Sequence, residues 1–269
     1  MILVDGREAD GIPADDRGLA YGDGVFETMR AMHGTIPLLD LHLERLQRGL
    51  AALGIVAPPS ASLTGELGRA AGEVRDGVVK LIVTRGSGGR GYMPGAHQPR
   101  RVVLTGALPA DLPRWREEGM HVAICTTPLD GPAALAGLKH LNRLPQVLAS
   151  REFPGRADEG LMRDAQGYVV EGTRTNLFVV AGGQLVTPPA GRGVAGVMRR
   201  LVMTLAAAEG LTVREAPLRD ADLGGEMFLV NAVLGVCPVA ALEDAPRPIG
   251  TMTRRLQAAV DQEMERRAC

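Results

Sequence analysis

Val169-Val170-Glu171-Gly172-Thr173-Arg174-Thr175-Asn176-Leu177-Phe178 places two apolar runs on either side of a carboxylate and a short polar turn. Tyr168 to Val170 and Asn176 to Val180 read as strands, since β-branched and aromatic residues bounded by turn residues favour extended backbone. Working outward, Glu159 to Arg163 on one side and Leu185 to Thr187 on the other read as further strands. Strands in such close succession leave no room for crossover helices, so the group looks antiparallel.

Helices lie beyond this group. Val197 to Glu209 follows a glycine-rich turn, Met252 to Arg267 closes the chain, and an Ala/Leu-rich helix falls around Asn142 to Arg151. Met227 to Asn231 and His121 to Cys125 read as strands. In the N-terminal part, Leu39, Leu43, Leu46, Leu50 and Leu53 recur at helical spacing and stop at Gly54. A second helix is expected from Ser62 to about Val74. Ile2 to Val4, Val25 to Arg30, Val78 to Thr84 and Arg101 to Thr105 read as strands, and Asp15 to Gly24 as a Gly/Asp loop. Antiparallel-looking strand groups with helices between them indicate an α+β or mixed α/β fold in two domains. Ala107 to Gly119, with Pro109, Pro113 and Gly119, has the turn residues of a linker. The expected division is a smaller N-terminal α/β domain over 1–108, a linker over 109–119 and a larger C-terminal domain over 120–269.

Composition excludes several functions. The chain has 269 residues and a formal net charge of −1. A balanced charge and scarce aromatics argue against a nucleic-acid surface or a polybasic membrane patch. Cys125, Cys237 and Cys269 show no CxxC pair, and the five histidines show no HExxH, so neither a disulfide framework nor a metal is expected. Met1 to Gly6 meets acidic residues at once, and no apolar run approaches membrane-spanning length. The expectation is a cytoplasmic protein.

Gly137-Leu138-Lys139-His140-Leu141-Asn142-Arg143-Leu144 holds one of only two lysines, the other being Lys80. Every other basic residue of the thirty is arginine. GC-rich coding drifts from lysine to arginine wherever charge alone is needed. A retained lysine therefore points to chemistry that a guanidinium cannot perform, such as giving up its proton or forming a Schiff base.

Gly86-Ser87-Gly88-Gly89-Arg90-Gly91 matches GxGxxG but is followed by Tyr92-Met93-Pro94-Gly95 and a strand. A dinucleotide site needs a helix at that point, so the match is rejected. The loop is either a plain hairpin connection or a device presenting Arg90 to an anion.

Separate pieces fit one pyridoxal phosphate site. Such a site needs an amine, an anchor for the ring nitrogen and a cup for the phosphate. Lys139 supplies the amine, and Glu171 can hold the ring nitrogen protonated. The turn Gly191 to Arg199 opens a helix, whose N-terminus suits a phosphate, and Arg45 can add a guanidinium. Taken singly, Glu171 also reads as a surface carboxylate, Arg45 as one charge on a helix face, and the turn as a simple connection.

Taken in order, these pieces resemble the class IV aminotransferase family, the fold-type-IV pyridoxal phosphate enzymes. Asp16-Arg17-Gly18 with Tyr21-Gly22-Asp23-Gly24-Val25-Phe26-Glu27 is similar to the family's N-terminal block. Glu171-Gly172 with Thr175-Asn176-Leu177-Phe178 is similar to its cofactor-glutamate block. The resemblance runs from about Asp5 to Val239. It implies a two-domain fold like that of D-amino-acid aminotransferase, usually homodimeric. It also implies pyridoxal 5'-phosphate on Lys139, with Arg45, Glu171, Val194, Ala195, Asn231 and Ala232 as further cofactor contacts.

Within the family, Lys139 to Leu144 with Gln146-Val147-Leu148, and Thr84 to Tyr92, are similar to the aminodeoxychorismate-cleaving branch. The implied reaction converts 4-amino-4-deoxychorismate to 4-aminobenzoate and pyruvate in folate synthesis, with Lys139 as catalytic base. Phe26, Thr28, Arg90, Tyr92 and Arg143 are the implied substrate contacts. Phe26-Glu27-Thr28 is closer to the transaminase pattern, which keeps a class IV transaminase of D-amino or branched-chain amino acids as the alternative.

Overall fold

A computed structural model describes residues 1–269 as two compact units. The first comprises Met1–Leu108 with Leu138–Asn142 and Met264–Cys269, and the second Pro109–Gly137 with Arg143–Glu263.

The first unit opens with β1 (Ile2–Val4), β2 (Arg7–Glu8), helix α1 (Arg17–Tyr21) and β3 (Gly24–Ala31). Helices α2 (Leu39–Leu53) and α3 (Ser60–Val74) follow, then β4 (Gly77–Thr84) and β5 (Arg100–Gly106). The strands form one antiparallel sheet in the order β2-β1-β5-β4-β3. Alternation decides its two faces. Val25, Glu27, Met29 and Ala31 of β3 share a buried face with Val79, Leu81 and Val83 of β4. Leu46 and Leu50 of α2 and Leu63 and Leu67 of α3 complete that core. Phe26, Thr28 and Lys80 occupy the opposite face, with Thr28 and Lys80 directly paired across the strands.

The second unit begins with α4 (Leu112–Glu117), β6 (Met120–Ile124), α5 (Leu144–Ser150), β7 (Glu159–Arg163) and β8 (Val169–Gly172). It continues with β9 (Asn176–Ala181), β10 (Gln184–Thr187), α6 (Val197–Ala208), β11 (Val213–Glu215) and β12 (Met227–Asn231). β13 (Gly235–Leu242), β14 (Ala245–Pro246) and α7 (Thr251–Ala268) end the chain. The sheet order is β11-β10-β9-β12-β13-β6-β7-β8, with β14 paired to β13. It is mixed: β10–β11, β6–β13 and β6–β7 are parallel, and the other pairings are antiparallel. The fold is therefore α+β with a mixed second sheet.

The structure departs from the sequence reading in places. The Asp15–Gly24 loop holds α1, capped by Asp16, whose carboxylate accepts the Gly18 N–H at 2.8 Å. The stretch read as a linker contains α4, because Leu112 and Trp115 find buried positions and the Trp115 indole N–H donates to Asp158. The helix expected from Asn142 starts at Leu144, and Leu138–Asn142 belongs to the first unit. β13 has no counterpart in the sequence reading. Its Pro238 argues against a central strand, yet its pairing with β6 begins only at Val239, one residue past the proline.

Candidate active site

The segment around Lys139 is extended, lying along β3, an edge of the first sheet. Phe26 N–H donates to the Lys139 carbonyl at 2.9 Å, and Leu141 N–H to the Gly24 carbonyl at 3.0 Å. These bonds fix the lysine's backbone to Phe26, and its side chain lies against the same residue: Nζ sits 4.4 Å from the Phe26 ring centroid. Lys80 Nζ lies 5.2 Å from that centroid. The chain's two lysines thus share one aromatic ring, an arrangement that cation–π attraction supports. Thr28 is on the same sheet face, opposite Lys80.

Arg45 is buried on α2 and held by Glu27 of β3. Its Nε donates to Glu27 Oε1 at 2.8 Å and its Nη2 donates to Oε2. His42 Nδ1 lies 2.6 Å from the same Oε2. Burial pushes the Glu27 carboxyl up, but the Arg45 guanidinium and the His42 contact outweigh it and hold it at about 2. For His42, burial dominates and pushes the imidazole below its ordinary value despite Glu27. Strand alternation carried the signal for Glu27: it falls between Val25 and Met29 on the core face, where a carboxylate must be paired.

The loop carrying Arg90 and Tyr92 is tied down by Arg17 of α1. Arg17 donates to the Gly91 and Tyr92 carbonyls at 2.9 and 2.8 Å and to Asp23 at 3.0 Å. Its guanidinium lies 4.8 Å from the Tyr21 ring centroid, and the Tyr21 and Tyr92 centroids are 5.6 Å apart. Arg90 and Tyr92 are themselves exposed. No helix follows the glycines before β5, in keeping with the rejection of a dinucleotide motif.

In the second unit, Glu171 is the penultimate residue of β8 and is buried. Its Oε2 accepts the Val194 N–H at 2.8 Å and the Asn176 Nδ2 at 3.1 Å. The turn between Glu171 and Asn176 is pinned from below by buried Glu159, which accepts the Thr173 N–H at 3.1 Å and the Thr175 hydroxyl at 3.2 Å. A Cβ on Gly193 would lie 2.6 Å from Glu171 Oε2, so only glycine lets the backbone pass this close.

The amides expected to cup a phosphate need correction. The Val194 N–H is donated to Glu171, and the Ala195 N–H to the Gly137 carbonyl at 3.0 Å. Both amides that the resemblance assigned to the cup are thus engaged within the protein. The amides that open α6 are those of Val197 and Met198, which lack carbonyl acceptors within the helix. Asn231 sits at the end of β12, where its Oδ1 accepts the Val233 and Leu234 N–H groups at 2.9 and 2.8 Å. This Asx turn shapes the backbone at Ala232. Arg143 is the N-cap residue of α5.

A family model for amino-transferase class IV matches residues 24–242. This chain belongs to the class IV aminotransferase family. The class IV chain is 36% identical over 267 residues to an aminodeoxychorismate lyase of Vibrio harveyi, covering 96% of this chain and 98% of that one. It is 33% identical over 272 residues to a putative branched-chain-amino-acid aminotransferase of Methanocaldococcus jannaschii, covering 95% and 91%. Its structure is similar to the crystal structure of 4-amino-4-deoxychorismate lyase from Pseudomonas aeruginosa, with a TM-score of 0.92 and 43% identity. That match covers 97% of this chain and 98% of the other.

Proposed function

We propose that this class IV chain is a pyridoxal phosphate-dependent lyase that converts 4-amino-4-deoxychorismate to 4-aminobenzoate and pyruvate, a step of folate synthesis. The observation that carries the reading is the likeness to the Pseudomonas lyase, at 43% identity and a TM-score of 0.92 over nearly both whole chains. Lys139 stands in one of the two stretches similar to that branch.

The residues present fit the cofactor. They offer an amine against an aromatic ring, a buried carboxylate backed by an amide, a buried guanidinium, and helix-opening amides. We assign Lys139 to hold the cofactor, Glu171 to keep its ring nitrogen protonated, and Arg45 with the α6 and Asn231–Ala232 amides to take its phosphate. When bound, pyridoxal phosphate supplies a carbonyl that captures the substrate amine and a ring that withdraws electrons.

Lys139 then acts through its own amine. It removes the proton on the amine-bearing carbon, and it returns a proton to the departing enolpyruvate. The ether C–O bond breaks with its electron pair leaving on the enolpyruvyl oxygen, the ring becomes aromatic, and the product settles as pyruvate. No oxidant or reductant is consumed. We assign Phe26, Thr28 and Tyr92 to the substrate's ring, and Arg90 and Arg143 to its carboxylates. Orientation and charge placement are then the chain's main contributions.

We further propose a cytoplasmic homodimer. No helix is long and apolar enough to cross a membrane. Leu144, Val147 and Leu148 are 65%, 53% and 45% exposed at i, i+3 and i+4 on α5, an apolar stripe suited to a second copy.

A transaminase is the second reading, favoured by the 33% identity to a putative branched-chain-amino-acid aminotransferase. The deciding experiment supplies purified protein with aminodeoxychorismate and measures pyruvate and 4-aminobenzoate, beside an assay of D-alanine with 2-oxoglutarate. Equimolar products in the first assay and a far slower second reaction are expected. The reverse pattern makes the chain a transaminase.

A further inference from the structure

Asn176 is the first residue of β9, and its backbone pairing there, opposite Val230, could be made by any residue. Its side chain does something more specific. Nδ2 lies 3.1 Å from Glu171 Oε2 and 3.0 Å from the Val194 carbonyl, while the Val194 N–H donates to the same Glu171 oxygen at 2.8 Å. The three residues close a hydrogen-bonded triangle. The other end of the amide reaches the helix start: a Cβ on Gly196, the N-cap residue of α6, would lie 1.9 Å from Asn176 Oδ1. One planar amide therefore touches both the buried carboxylate and the turn that opens α6.

We propose that Asn176 is a positioning residue that locks the Glu171 carboxylate to the α6-opening turn, and so sets the spacing between the ring-nitrogen anchor and the phosphate anchor of the cofactor. The inference rests on the cofactor reading above. The chemistry demands an amide here. The Val194 carbonyl and the Glu171 carboxylate are both acceptors, so the group joining them must offer two donor protons, which the Asn NH₂ does. An aspartate at this position would set a second carboxylate against Glu171.

The test uses cofactor-stripped full-length protein titrated with pyridoxal phosphate. Its readouts are the absorbance of the bound cofactor, its dissociation constant and the pH midpoint of its spectrum. Wild type, Asn176→Ala, Glu171→Gln and the double variant form a cycle. Asn176→Ala is expected to weaken cofactor binding about tenfold or more, the scale seen when a group supporting a direct ligand is removed, and to shift the pH midpoint. In the Glu171→Gln background the same change is expected to cost less than about threefold. An equal loss in both backgrounds would show that Asn176 merely supports the strand, and an unchanged dissociation constant in Asn176→Ala would likewise overturn the proposal. If Asn176→Ala does not fold, the near-isosteric Asn176→Asp replaces it in the cycle, with the same outcomes. Failure of wild type to bind cofactor would instead sink the functional reading itself, which separates the two failures.

Discussion

Glu27 and Arg45 form a closed pair in the interior of the first unit, joined by Nε to Oε1 at 2.8 Å and by Nη2 to Oε2. The arginine assigned to the phosphate is thus aimed by a carboxylate on a neighbouring strand, and His42 braces that carboxylate from the other side. Removing one partner leaves a buried charge without compensation. Glu27→Ala is expected to cost about 3–5 kcal/mol of stability, measured by urea unfolding of the cofactor-free protein.

The same cluster sets an acid limit. Glu27 is held at about 2, below its ordinary 4.5, so its contribution is present above pH 4.5 and is lost as pH falls from there toward 2. His42 is pushed below its ordinary 6.5, so the unfolded chain takes up its proton first, and stability falls as pH drops below that value. Both effects run the same way. Unfolding free energy measured from pH 7 to pH 3 is expected to decline, and Glu27→Gln is expected to flatten the lower part of that decline. A flat wild-type profile would contradict the assignment.

Lys139→Arg is expected to abolish formation of pyruvate and the bound cofactor's absorbance while the far-ultraviolet circular dichroism stays unchanged, because a guanidinium does not capture the cofactor carbonyl. Lys80 differs. Its amine shares the Phe26 ring with Lys139, and arginine preserves its charge. Lys80→Arg is expected to leave kcat largely intact, whereas Lys80→Met is expected to raise KM for the anionic substrate. Loss of all turnover in Lys80→Arg would assign the chemistry to the wrong lysine.

Glu171→Gln is expected to retain cofactor but lower kcat by about 10²–10³-fold, the scale of losing one directed electrostatic contact. Steady-state kinetics on the cofactor-loaded variant decide the point, and near-normal kcat would mean that another residue holds the ring nitrogen.

Arg90→Ala and Arg143→Ala are each expected to raise KM while leaving cofactor affinity alone, since a charge-assisted contact is worth about 1.5–3 kcal/mol. Arg17→Ala, which frees the Gly91 and Tyr92 carbonyls, is expected to raise KM in the same direction through the loop. A fall in cofactor affinity with KM unmoved would place the two substrate arginines elsewhere.

Thiol labelling at pH 8 offers an independent check on the packing. Burial pushes the Cys125 and Cys237 thiols up to about 12, whereas Cys269 is exposed. One fast-reacting thiol in the native protein, rising to three in urea, is the expected count, because the thiolate is the reactive form. Three fast thiols in the native state would contradict the buried positions.

Much of this was legible in the sequence because it depends on local pattern. The leucine repeat of α2 and the alternation of β3 and β4 follow from the periods of helix and strand, which each segment carries in itself. The retained Lys139 and the Glu171 block carried the resemblance to the family in the same local way. Hydrogen-bond partners were not legible, because they depend on which distant segments meet. The Val194 amide answers a carboxylate twenty-three residues away and Arg45 one eighteen residues away. Only the tertiary structure therefore decided that Val194 and Ala195 are committed elsewhere, that Glu27 aims Arg45, and that Asn176 joins Glu171 to the opening of α6. Burial makes those pairings compulsory, since a carboxylate or amide removed from water must find a partner, and spacing along the chain does not say which one.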